Sequence, residues 1–174
     1  ASRSTPIVQQ YLPAFSMKYP SVHFEIYEGL MTNVVTQLIN GSAELGIANI
    51  QMVDIDKFDI LLTQEEHLYA IFRRDVFWTD REHDTITWED IKKCPLSLSG
   101  GSVRMIMQSS LTDMEQLNAV AITTTKSSAI EWASSGRTVS LVPMDAKELI
   151  NHRKMARIKL PEFSGDFKKA FITL

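Results

Sequence analysis

Apolar positions along this chain switch between a period of two and one of about 3.6, which predicts strands alternating with helices. Val8, Tyr11, Leu12, Phe15 and Tyr19 recur at helical spacing after Thr5, a capping residue, and Pro6, a first-turn residue. The expectation is a helix from Ile7 to Tyr19, kinked at Pro13. Val22 to Glu28 alternates strictly and predicts a strand with one polar face. Thr32 to Asn40 predicts a helix closed by Gly41, and Glu44 to Asn49 a short strand. Asp59–Thr63 and His67–Phe72 predict two more strands. Thr87-Trp88-Glu89-Asp90 carries the capping-box pattern of a short helix ending near Cys94-Pro95. Beyond it the pattern predicts strand Leu96–Leu98, helix Val103–Leu117, strand Ala119–Thr123 and helix Ser127–Ser135, ended by Gly136. Strand Val139–Val142 is closed by Pro143, then come helix Met144–His152 and strands Ala156–Leu160 and Lys169–Leu174. Such alternation is the signature of an α/β fold.

Composition narrows the function classes. The 174 residues are 44% hydrophobic and 22% charged, ordinary for a folded chain rather than a disordered one. The net charge is -3 and the densest basic stretch is only Asn151–Arg157, so strong nucleic-acid binding by this chain alone is disfavoured. A single cysteine, Cys94, excludes an internal disulfide and suits a reducing compartment. No apolar run approaches a membrane span, and the first residues lack the pattern of a secretion leader, so a cytoplasmic location is expected.

Small polar turns stand where apolar segments meet predicted helices: Ser2-Arg3-Ser4-Thr5, Ser99-Gly100-Gly101-Ser102 and Thr123-Thr124-Thr125. A helix start offers unpaired N–H groups and the positive end of the macrodipole, a receptor for a small polar or anionic ligand. Ser2, Ser4, Thr5, Ser99, Gly101, Ser102, Thr124 and Thr125 are therefore candidate ligand contacts. The same residue types also serve as plain helix caps and turns. Asn49 ends a strand, the edge where open α/β sheets bind ligands, and would equally make an Asx turn there. Arg3, Arg104 and Arg137 could pair with a carboxylate or stand as solvated surface cations. Cys94 reads as packing. The four histidines show no metal-ligand spacing, the three tryptophans are dispersed, and no nucleophile elbow or phosphate-binding glycine loop occurs. No catalytic residue, cofactor or metal is expected.

Four stretches taken in order resemble the effector-binding domain of LysR-type transcriptional regulators. They are Tyr11-Leu12-Pro13-Ala14-Phe15 with Tyr19-Pro20, Val22 to Gly29, the run Leu38, Gly41, Glu44-Leu45-Gly46-Ile47-Ala48, and Ser140-Leu141-Val142-Pro143. The resemblance implies a two-lobed fold like type 2 periplasmic binding proteins, with two crossover strands. Lobe I would be residues 1–65 plus 169–174, and lobe II residues 66–168. It implies a small-molecule effector, a carboxylate or other anion, held between the lobes to control DNA binding and transcription. Ser4 and Asn49 fall where the family often contacts effector, and Leu30, Met31 and Thr32 in a loop it also uses. Leu30 and Met31 would suit an effector with an apolar part, or simply pack the lobe. DNA would be reached only through an N-terminal winged helix-turn-helix outside this chain. A homodimer or homotetramer is implied, with the helix Ile7–Tyr19 of one copy near Ser127–Ser135 of another, and no membrane partner.

Departures from the family pattern are a first strand and a last helix that this sequence does not contain. In addition, Gly136-Arg137-Thr138-Val139 replaces a stretch often richer in glycine, which puts the backbone at Thr138 in question. An extracytoplasmic solute-binding protein of the same fold is the alternative reading. An enzyme on this fold ranks last, because the predicted turns hold Ser, Thr, Asn and Gly but no carboxylate or histidine.

Overall fold

The computed structural model describes residues 11–54, 56–78, 86–145, 154–163 and 167–174. In chain order its elements are α1 (Leu12–Lys18), α2 (Met31–Ile39), β1 (Gly46–Asn49), β2 (Asp59–Glu65), β3 (His67–Arg73), α3 (Trp88–Lys92), β4 (Leu96–Ser99), α4 (Gly100–Ser109), β5 (Ala119–Thr123), α5 (Lys126–Ser134), β6 (Val139–Met144), β7 (Met155–Lys159) and β8 (Lys168–Thr173). Short 3-10 turns cover Ile50–Met52, Met114–Gln116 and Pro161–Phe163. The chain divides into two units, Ala1–Glu66 with Asp166–Leu174, and His67–Gly165.

The run from Leu38 to Ala48 shows how sequence makes the first unit. Helix α2 buries Val34 and Leu38, one helical turn apart, and ends at Gly41 in a left-handed turn (φ 72). The chain then returns as β1, which places Gly46 under Leu38. A Cβ on Gly46 would stand 2.7 Å from Leu38 Cδ1 and 3.1 Å from Ile172 Cγ1, so only glycine lets helix and sheet approach this closely. Ala48, Phe58, Ala170 and Ile172 complete the core with Leu38. The sheet has the order β1-β8-β2, antiparallel throughout, with Asn49 opposite Lys169 and Glu65 opposite Lys168.

The second unit is a five-stranded sheet of order β5-β4-β6-β3-β7. Strands β5, β4 and β6 run parallel, while β6–β3 and β3–β7 are antiparallel. Helix α5 sets Ala129 and Ala133 against Tyr69, Ile71, Val142, Met144 and Met155. Small residues on the helix allow this close seat. Helix α4 lies on the other face, where its Gly101 meets Pro143 of β6. Under α5, Thr138 Oγ1 donates to Ser97 Oγ (2.9 Å), which donates to the Ala129 carbonyl (2.9 Å). Thr138 is fully buried and keeps a negative φ, so the missing glycine leaves no strain and the threonine instead anchors a buried hydroxyl chain.

Several sequence expectations change. The helix expected over Ile7–Tyr19 is described only from Tyr11, whose backbone is already helical, so the stretch that a kink at Pro13 would set off lies outside the described residues. Residues 22–28 are exposed and form no strand with any described residue, because alternation supplies a face and not a hydrogen-bonded neighbour. The helix expected over Val103–Leu117 begins at Gly100 and stops at Ser109. There the Ser109 hydroxyl bonds the Ile106 carbonyl (2.7 Å) and Ser110 turns left-handed (φ 54). Strand β6 runs through Pro143 to Met144, since β4 pairs it only as far as Leu141 and leaves an edge position there. Met144 is thus strand, and the rest of the expected helix to His152 lies almost wholly outside the described residues. Ser2, Ser4 and Thr5, with the start of the first expected helix, lie outside them too.

Candidate functional site

The candidate contacts of the second unit gather at the carboxyl ends of β4 and β5. These strands are parallel neighbours with Ser99 opposite Thr123, so α4 and α5 begin side by side. From β4 the chain passes through α4 to β5 on one side, then through α5 to β6 on the other, with the two helices on opposite faces. That reversal is a topological switch point, where open α/β sheets bind ligands.

Chemistry at the two helix starts differs in detail. Ser99 caps α4 by accepting from Ser102 N (3.2 Å), and Ser102 Oγ accepts from Ser99 N (2.7 Å). Both hydroxyls are buried and satisfy one another and the Ser99 carbonyl. What this start offers outward is backbone N–H, from the exposed Gly100 and the half-buried Gly101. Thr125 caps α5 by accepting from Ser128 N (2.9 Å), the plain capping role weighed for it. Thr124 is exposed.

The roles of two residues here were not read from the sequence, although Thr123 was placed in a polar turn. Thr123 Oγ1 donates to the carbonyls of Leu98 (3.3 Å) and Thr125 (2.7 Å), bracing β5 against β4. Lys126, the first residue of α5, is nearly buried although helix starts disfavour cations. Neither role was legible, because only the fold turns them inward.

In the first unit, Leu30 and Thr32 lie at the start of α2, and Asn49 at the end of β1. Met31, next to Leu30 and Thr32, and Ile50, next to Asn49, pack on the same core cluster. Helix α2 has no side-chain cap and no acidic residue in its first turn, since Leu30 occupies the capping position. Its first N–H groups are therefore uncapped by side chains. Asn49 Oδ1 accepts from Gln51 N (3.0 Å), the Asx turn weighed as its plain role. That bond leaves the amide Nδ2 as the donor to an anionic ligand.

Elsewhere, Arg104 is half-buried and Arg137 exposed. Burial pushes the Cys94 thiol up to about 11, with the Asp90 charge adding to it, which fits packing rather than reactivity. Among the described residues no three His, Cys, Asp or Glu side chains could share a metal ion. No helix among them is long and apolar enough to cross a membrane.

Comparison with known proteins agrees with this architecture. The family model described as the LysR substrate binding domain matches residues 3–172. No curated protein matches the chain. A transcriptional regulator from Vibrio parahaemolyticus superposes with a TM-score of 0.74 at 18% identity, over 96% of this chain and 78% of that one. The effector-binding domain of QuiR, in complex with shikimate, gives 0.71 at 13% identity, over 96% and 80%. Full-length CbnR on its target DNA gives 0.69 at 16% identity, over 97% of this chain but 59% of that one. The chain thus spans about three-fifths of such a full-length regulator. At these identities the likeness speaks for the fold, which is the type 2 periplasmic-binding-protein class. The matched family model, the ordered motifs and the two α/β units together establish that the chain belongs to the LysR substrate binding domain family.

Proposed function

We propose that this chain is the effector-sensing part of a bacterial LysR-type transcriptional regulator, and that it recognises a small carboxylate or other anion. The observation that carries this is the pair of adjoining helix starts at the switch point of the second unit, with buried Lys126 at one of them. The backbone N–H groups of α4 suit an anion, and its two serine hydroxyls are already committed to the cap. The uncapped start of α2 and the Asn49 amide are the corresponding donors in the first unit. Candidate contacts are Ser2, Ser4, Thr5, Leu30, Thr32 and Asn49 there, and Ser99, Gly101, Ser102, Thr124 and Thr125 in the second unit. Ser99, Gly101 and Ser102 act through the helix start they build. Shikimate, bound by the related QuiR domain, is itself a carboxylate.

Ligand binding would favour one conformation and reposition a DNA-binding segment outside this chain, without covalent chemistry. Exposed Tyr11, Phe15 and Tyr19 on and beside α1, and Trp132 on α5, suit pairing with a second copy. A monomer by light scattering at high concentration would refute that pairing. The test of the sensor reading is thermal unfolding against hydroxylated and aromatic carboxylates, amino acids, sulfate and phosphate. One class should raise the midpoint, by several degrees at a hundredfold excess over Kd (~2.7 kcal/mol). Asn49→Ala and Ser4→Ala should remove the shift. A shift unchanged in both variants would remove these residues from the site.

A further inference from the structure

We propose that the β7 edge of the second unit's sheet, with the turns beside it, is a contact surface for the phosphate backbone of duplex DNA. Strand β7 ends the order β5-β4-β6-β3-β7, so its outer side meets no strand among the described residues. Three separate stretches bring cations there. They are Arg73 and Arg74 at the end of β3, Arg137 after α5, and Lys154, Arg157 and Lys159 in and just before β7. In the β3–β7 register Arg73 lies opposite Met155, Ile71 opposite Arg157 and Tyr69 opposite Lys159. Arg74 N donates to the Lys154 carbonyl (3.0 Å). A Cβ on Gly136, the neighbour of Arg137, would stand 3.4 Å from Arg73 Cδ. Within residues 73–78, 136–138 and 154–160 the one acid is Asp75. Six cations against one acid leave a local charge of +5 on a chain whose net charge is -3.

Arg73 is hydrogen-bonded to Asp75, and the Arg157 guanidinium lies over the Tyr69 ring, 5.0 Å from its centroid. Arg74, Arg137, Lys154 and Lys159 are exposed, with Lys154 Nζ no nearer than 3.9 Å to Asp75 Oδ2. Charge on an edge strand discourages pairing with another strand, but either sign would serve that end. Cations gathered without matching acids build a field that draws in a polyanion. All exposed residues of these stretches are charged except Val76. A protein partner would need aromatic or apolar anchors, which this face lacks, whereas a phosphate backbone needs only cations. From Lys154 to Lys159 the chain runs about 17 Å, over which a duplex presents about five phosphates on each strand. Four of the six cations are arginines, whose forks fit phosphate oxygens bidentately. The sequence hides this surface, because its cations come from stretches far apart and form no basic run. The contact would add to that of a DNA-binding segment outside this chain, and in that respect it rests on the sensor reading. Its test uses neither effector nor that segment, so the two readings fail separately.

The measurement is fluorescence anisotropy of a labelled duplex of arbitrary sequence, about 20 base pairs long, titrated with this chain between about 20 and 200 mM salt. Binding should be weak, with Kd about 100 μM or tighter at the lowest salt, and log K should fall with log salt at a slope of about -3 to -4. Arg74→Ala and Lys159→Ala should each weaken binding about three- to tenfold at low salt and make the slope shallower by about 1. Arg137→Glu with Lys159→Glu should abolish it. Lys93→Ala, exposed elsewhere in the same unit, should leave affinity and slope unchanged. The replaced side chains are all exposed, so an unchanged thermal midpoint will separate a lost contact from a lost fold. Polyglutamate is the competing probe. Binding of polyglutamate but not of the duplex would assign the surface to an acidic protein and overturn the proposal. No duplex binding at low salt, or binding that the Arg74, Arg137 and Lys159 variants leave intact, would overturn it too.

Discussion

Gly101→Ala tests whether the glycine at the start of α4 is there for packing. A Cβ at that position would stand 2.7 Å from Pro143 Cγ and 3.5 Å from its Cδ. Ordinary carbon contacts are about 3.5–4.0 Å, so the first falls short by roughly 1 Å. Pro143 sits in β6, and its ring can change pucker but cannot swing away. The helix start must then shift, straining the Ser99–Ser102 capping box. Overpacking costs about 1–3 kcal/mol and a lost cap about 0.5–2 kcal/mol, against a gain of about 0.5–1 kcal/mol for alanine over glycine in a helix. The expected net loss is about 1–3 kcal/mol.

Gly100→Ala is the control, because nothing lies within 4 Å of the point where its Cβ would stand. It should be neutral or stabilising by up to about 1 kcal/mol. All three tryptophans, Trp78, Trp88 and Trp132, belong to the second unit, so urea unfolding followed by their fluorescence reads this region alone. Adding Pro143→Ala to Gly101→Ala should recover about 1 kcal/mol through direct coupling. If Gly101→Ala proved as stable as Gly100→Ala, the steric argument would be refuted.

Two further expectations concern buried hydroxyls and acid. Ser97→Ala removes the acceptor of Thr138 Oγ1 and should cost about 1–3 kcal/mol, whereas Ser140 Oγ has no partner among the described residues and Ser140→Ala should be neutral or stabilising. Equal losses in the two urea titrations would contradict that assignment. Hydrogen bonds from Arg73 hold the exposed Asp75 carboxyl down at about 2. Because the folded value lies below the unfolded one, near 3.9, this contribution is present above about pH 4 and lost as pH falls toward 2. Carbon-13 titration should find the midpoint near 2, rising toward the ordinary carboxylate range in Arg73→Ala. A midpoint near 4 in the parent chain would show the contact does not persist in solution.

Legibility followed the range of the interaction that decides each feature. The α3 capping box was readable from Thr87 and Asp90, because both partners sit within one helical turn. So was the end of α2 at Gly41. Ser99 was readable as a turn residue, but its hydroxyl's closure on Ser102 within the cap was not. The 22–28 segment misled because a strand is defined by its neighbour, which alternation does not name.

What the sequence determined by itself was the local order of elements, their caps and the α/β class, since periodicity, glycine and proline act over a few residues. The family motif from Leu38 to Ala48 was legible too, but the close approach of Leu38 to Gly46 within it came only with the fold. Tertiary structure alone decided which polar residues are buried and with whom. Thr138 met Ser97, Lys126 turned inward at α5, and Glu66 met Lys169 at the end of the β2–β8 ladder. Those pairings join residues remote in sequence, and burial then decides their energetics by removing the water that would otherwise satisfy each group.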